Sequence, residues 1–75
     1  MKTNKQYNGF DNWNTWNVVL WINNDYGLYC EFLKTVEVLG KTAAARNLYF
    51  RFKGTKTPDG ARYTLKAIKL AIAEY

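Results

Sequence analysis

Thr42-Ala43-Ala44-Ala45-Arg46-Asn47-Leu48-Tyr49-Phe50-Arg51-Phe52 decides between two fold classes. The alanine run favours a helix, because alanine loses no side-chain freedom there. Leu48 to Phe52 also carries strand propensity, and Ala61-Arg62-Tyr63-Thr64 is a candidate hairpin partner for it. A lone two-stranded ribbon is marginal in water, so a helix capped by Thr42 and ending near Phe52 is the preferred reading. On such a helix Ala45, Leu48, Tyr49 and Phe52 share one face, opposite Arg46, Asn47, Phe50 and Arg51. The expected fold is therefore all-α, with three to four short helices packed around a Trp-rich one. The alternative is α+β with a small hairpin at about 48–64.

Toward the C-terminus, Lys53 to Gly60 reads as a loop, with Pro58-Asp59-Gly60 as its turn. Thr64 then caps a last helix over 64–75, which turns Leu65, Ile68, Ala71, Ile72 and Tyr75 inward and Lys66, Lys69 and Ala73 outward. Toward the N-terminus, Gly40 stops a helix over about 26–39 with the stripe Leu28, Tyr29, Phe32, Leu33, Val36 and Leu39. Glu31, Lys34, Glu37 and Cys30 lie opposite that stripe. Asn23-Asn24-Asp25 closes the preceding helix by a left-handed turn, and Asp25 or Asn24 caps the next one.

That preceding helix holds all three tryptophans: Trp13-Asn14-Thr15-Trp16-Asn17-Val18-Val19-Leu20-Trp21-Ile22. Asn14 is its expected N-cap, Trp13 and Val18 form the staple, and Asn17 stands at the reach-back position. Trp13, Trp16, Asn17, Leu20 and Asn24 share one broad side, while Val18 and Ile22 point away and Val19 and Trp21 flank them. An apolar surface on nearly every side predicts a central helix with Trp13, Trp16, Leu20 and Trp21 as the core hub. Residues 1–9 read as a flexible arm hinged at Gly9, and 10–75 as a single domain.

The 75 residues allow a thin core, which three Trp, six Tyr and four Phe help to fill. One cysteine, Cys30, excludes an internal disulfide and a thiolate metal cage, and its neighbour Glu31 disfavours a reactive thiol. The absence of histidine removes the commonest general base and zinc ligand. The carboxylates show no paired spacing for acid–base or metal work, and Asp25 and Asp59 are explained as cap and turn. A noncatalytic protein without cofactor or metal is expected. The polar start, Met1-Lys2-Thr3-Asn4-Lys5, and the lack of a membrane-length apolar run place it in the cytoplasm, away from membranes.

Charge is uneven. Residues 1–40 carry a net of −1 and residues 41–75 a net of +6 within the overall +5. Arg46, Arg51, Lys53, Lys56, Arg62, Lys66 and Lys69 are thus candidates for DNA or RNA contact, although they match no recognised motif and equally serve as a solvated face. Phe50 between Arg46 and Arg51 is a ring flanked by guanidiniums, suited to a partner surface, and Trp21 is the tryptophan placed for exposure.

The run Trp13-Asn14-Thr15-Trp16-Asn17-Val18, then Leu20-Trp21-Ile22, Asn24-Asp25 and Gly27-Leu28-Tyr29, resembles the signature of a family of small uncharacterised proteins. That family is found in bacteriophages, cyanophages among them, and on other bacterial mobile elements. Thr57-Pro58-Asp59-Gly60 before a final helix is similar to it too, and the resemblance covers about half of the chain. It implies a small, mostly helical accessory protein of phage type, in the host cytoplasm, and no reaction. The function expected first is to bind and modulate a host or phage protein through Trp21, Phe50, Arg46 and Arg51. The alternative is nucleic-acid binding by the basic half, and the protein is expected as a monomer or weak homodimer.

Overall fold

Asn12 starts the first helix: its side-chain oxygen accepts the Thr15 N–H at 2.8 Å, and its carbonyl accepts the Trp16 N–H at 3.2 Å. The computed structural model describes residues 12–75, so the arm and hinge expected at 1–9 lie outside the described residues. Four helices follow in order among these: α1 (Trp13–Asn24), α2 (Tyr26–Leu39), α3 (Lys41–Phe52) and α4 (Leu65–Ile72). The fold is all-α, and the stretch 48–52 is helical.

Two helix starts differ from those the sequence predicts. Asn12 takes the cap expected of Asn14, which shifts the register by two and dissolves the Trp13–Val18 staple and the Asn17 reach-back. Thr42 does not cap α3. Gly40, at φ 80° and ψ 161°, both closes α2 and opens α3, with no side-chain cap on α3. Asp25 joins α1 to α2 in an extended conformation, not a left-handed one, and its carboxylate accepts the Leu28 N–H at 3.0 Å. Thr64 does cap α4, accepting the Ala67 N–H at 3.1 Å. That helix ends at Ile72, and Tyr75 is tied by a tighter bond from its N–H to the Ile72 carbonyl at 3.1 Å.

α1 packs against α2 and α4, α3 packs against the same two, and α2 touches α4 less extensively. The core is made of Val18, Val19 and Ile22 from α1, Phe32 from α2, and Ala44, Ala45 and Leu48 from α3. Ala67, Ile68, Ala71 and Ile72 of α4 complete it, with Ala61 and Tyr63 from the connection. Phe32, Phe52 and Tyr63 form an aromatic row, with ring centroids 5.4 and 5.3 Å apart. Burying Leu48 and stacking Phe52 hold 48–52 helical despite its strand propensity, since tertiary packing overrides local preference.

The tryptophan hub is the largest correction. The buried side of α1 is Thr15, Asn17, Val18, Val19 and Ile22, whereas Trp13 is 39% exposed and Trp16, Leu20 and Trp21 are half-buried. α1 is a wall of the bundle, not its axis. β-branched side chains fit between closely packed helices; the indoles lie toward the edges, and that of Trp21 reaches Asp59 of the loop. Leu39, expected in the α2 stripe, is exposed in the last turn.

The hairpin alternative survives only as one antiparallel bridge, Lys56 with Arg62, anchored by the Thr57 N–H on the Ala61 carbonyl at 2.8 Å. The expected turn is present: the Gly60 N–H donates to the Thr57 carbonyl at 2.8 Å, and Gly60 holds φ 95°.

Candidate functional site

The loop and the segment leading into α4 are fixed by asparagines of α1. The Asn14 amide donates to the Arg62 carbonyl and accepts the Arg62 N–H, both at 2.8 Å, so it pairs with that backbone as a neighbouring strand would. Asn17, 2% exposed, accepts the Thr57 hydroxyl at 2.6 Å and donates to Asp59 Oδ2 at 2.9 Å. The Trp21 indole N–H donates to the same oxygen at 2.9 Å. Hydrogen bonds from Asn17 and then Trp21 hold the Asp59 carboxyl below the usual carboxylate range. Thr57 closes the knot by accepting the Ala61 N–H at 3.0 Å. The asparagine richness of α1 is thereby spent on binding the 57–62 segment.

Pinning Arg62 to Asn14 sets up a surface. Trp13, Asn14, Arg62, Thr64 and Lys66 line a groove of about 640 Å³ between the starts of α1 and α4. One helical turn further along α4, Lys69 joins Lys41 of α3 along a second groove of about 200 Å³, and Lys41 Nζ donates to the Ala73 carbonyl. Among the described residues no carboxylate lines either groove. Arg62, Lys66, Lys69 and Lys41 thus follow the outward side of α4, with a partly exposed indole at one end.

The other candidates are placed differently. Arg51 is paired with Glu31 of α2 and also donates to Thr35 Oγ1 at 3.3 Å and Asn47 Oδ1 at 3.2 Å, so it ties α3 to α2. Phe50 is 67% exposed, with Lys53 Nζ 4.9 Å from its ring centre and Arg46 one turn earlier on the same exposed side. Lys56 is exposed in the loop, across the bridge from Arg62. Trp21 is half-buried under the loop. Trp13 and Lys41 were not singled out by the sequence. The apolar surface of α1 predicts Trp13 in the core, and Lys41 meets Lys69 only through the α3–α4 packing.

Cys30 is half-buried and free. Among the described residues no three acidic, cysteine or histidine side chains gather where they would hold a metal ion. No helix among them is long and apolar enough to cross a membrane.

No curated protein and no solved structure matches the chain significantly. Residues 3–74, which include Trp13, Asn14, Arg62 and the whole of α4, match a family of unknown function, DUF7249, and the chain belongs to that family.

Proposed function

We propose that this is a noncatalytic accessory protein of phage type, working in the host cytoplasm, and that it binds nucleic acid through the outward side of α4. The observation that carries this reading is the line Lys41, Lys69 and Arg62 with no carboxylate among the described residues of its two grooves. Cations spaced along one helix neutralise successive phosphates and release counterions, which supplies affinity without sequence reading. The carboxylates Glu31 and Glu37 lie on α2, which packs chiefly on α1 and α3, whereas Glu74 stands just beyond the end of α4. The lack of histidine and of paired carboxylates supports a binding role over a catalytic one.

Three phosphate contacts, from Lys41, Lys69 and Arg62, give a salt slope of about −2, hence binding roughly 20-fold weaker at 200 mM than at 50 mM salt. Anisotropy titrations of labelled DNA and RNA oligonucleotides measure this directly. Lys41→Glu with Lys69→Glu should abolish binding while the helix content stays unchanged. A wild-type protein that binds no oligonucleotide at 50 mM salt defeats the proposal.

A second reading, a host or phage protein as partner, is supported by Phe50. A large ring left in solvent between Arg46 and Lys53 suits an acidic protein surface with an apolar pocket. It requires a stoichiometric partner from host lysate that Phe50→Ala no longer retains.

A further inference from the structure

Resting on the nucleic-acid reading of α4, we infer that the strand bound is single and that Trp13 stacks on one of its bases. Trp13 sits at the start of α1 with its indole 39% exposed, in the groove it shares with Arg62 and Lys66. A groove of about 640 Å³ lies within the roughly 300–1,000 Å³ typical of sites that enclose small organic groups. The two Asn14–Arg62 bonds tie the residue after Trp13 to the backbone of Arg62, so the backbones that carry ring and cation are held together before any ligand arrives. One N–H and one lone pair of the Asn14 amide are committed to that clasp, which fixes the amide against the Arg62 backbone. The site therefore favours a base by its flat face and a phosphate by its charge, without sequence preference. In a duplex the base faces are hidden in the stack, so a protein ring gains nothing from them; a single strand offers them freely. Lys69 and Lys41 continue the line of charge beyond the groove and carry the backbone onward along α4.

The test uses the full chain with a labelled fifteen-nucleotide oligo-dT, a duplex of equal length, and polyglutamate as a polyanion without bases, all at low salt. Oligo-dT is expected to bind at least several-fold tighter than the duplex, and polyglutamate weakest. Trp13→Ala should weaken oligo-dT binding roughly five- to hundredfold, leave duplex binding unchanged and keep the salt slope, because stacking releases no counterions. Trp13→Phe, which keeps a ring at the same position, should retain most of the affinity and guards against a folding defect in the alanine variant. Equal oligo-dT binding by wild type and Trp13→Ala, or a preference for duplex, overturns the stacking inference while the α4 reading stands. Polyglutamate binding as tight as oligo-dT points to an acidic protein partner and overturns both.

Discussion

Asp59 Oδ2 accepts the Asn17 amide and the Trp21 indole N–H from two successive turns of α1, while Asn17 also holds Thr57 two residues away. The two donors differ in weight. The Asn17 bonds are shielded from water and the Trp21 bond is exposed, so loss of the first leaves buried groups unpaired and loss of the second does not. Asn17→Ala is expected to cost about 2–3 kcal/mol, lowering Tm by roughly 10–20 °C, whereas Trp21→Phe costs about 1 kcal/mol or less. Thermal denaturation followed by circular dichroism separates the two. Because the folded state holds the Asp59 pKa below its unfolded value, the unfolded chain takes up the proton first as pH falls. The stabilisation is complete above the unfolded value near pH ~4 and is lost as pH drops through the lower folded one. Urea midpoints of Asp59→Asn should lack this acid-dependent component, and a wild-type acid limb that survives the substitution unchanged refutes the assignment.

At the scale of elements, Gly40 does by backbone what the other helix junctions do by side chain. Its φ of 80° with ψ of 161° lies in a region essentially closed to side-chain-bearing residues. A Cβ built there meets nothing within 4 Å, so the penalty of Gly40→Ala is conformational and not steric. A loss of about 1–3 kcal/mol is expected in chemical denaturation, with the m-value unchanged. The helical pattern of α2 and α4 was legible because their apolar stripes are continuous, and the capping threonine of α4 was legible from its spacing. The start of α1 was not, because three asparagines within six residues (Asn12, Asn14 and Asn17) offer more than one cap of similar strength. Only the demand of the Arg62 backbone for an amide partner assigns Asn14 elsewhere and leaves the cap to Asn12.

For the whole molecule, stability is bounded on the alkaline side by tyrosines sealed into the bundle. The Tyr75 ring meets Tyr29 edge-on at 5.5 Å, and burial, then the charge of Tyr29, pushes its hydroxyl up to about 12. Tyr63 is raised as well, chiefly by burial. A folded value above the unfolded one means that stability is full below about pH 10 and falls as pH rises through the folded values. The Tyr75 hydroxyl is also buried without a hydrogen-bond partner among the described residues. Tyr75→Phe should therefore be neutral or stabilising by up to about 1 kcal/mol at pH 7, and should shift the alkaline unfolding midpoint upward. A clear loss of stability at pH 7 would show that the hydroxyl is satisfied after all.

By itself the sequence determined the number, type and approximate limits of the helices, the turn at 57–60 and the excess of positive charge in the second half. These follow from local periodicity, turn chemistry and composition, which need no partner in space. The tertiary structure decided which side of α1 is buried, which asparagine caps it and which cations stand together. An apolar helix surface does not declare its inner face, and Lys41 and Lys69 are neighbours only once α3 lies on α4. Packing density selects Val18, Val19 and Ile22 over the indoles, and that choice turns Trp13 from a core residue into the rim of a groove.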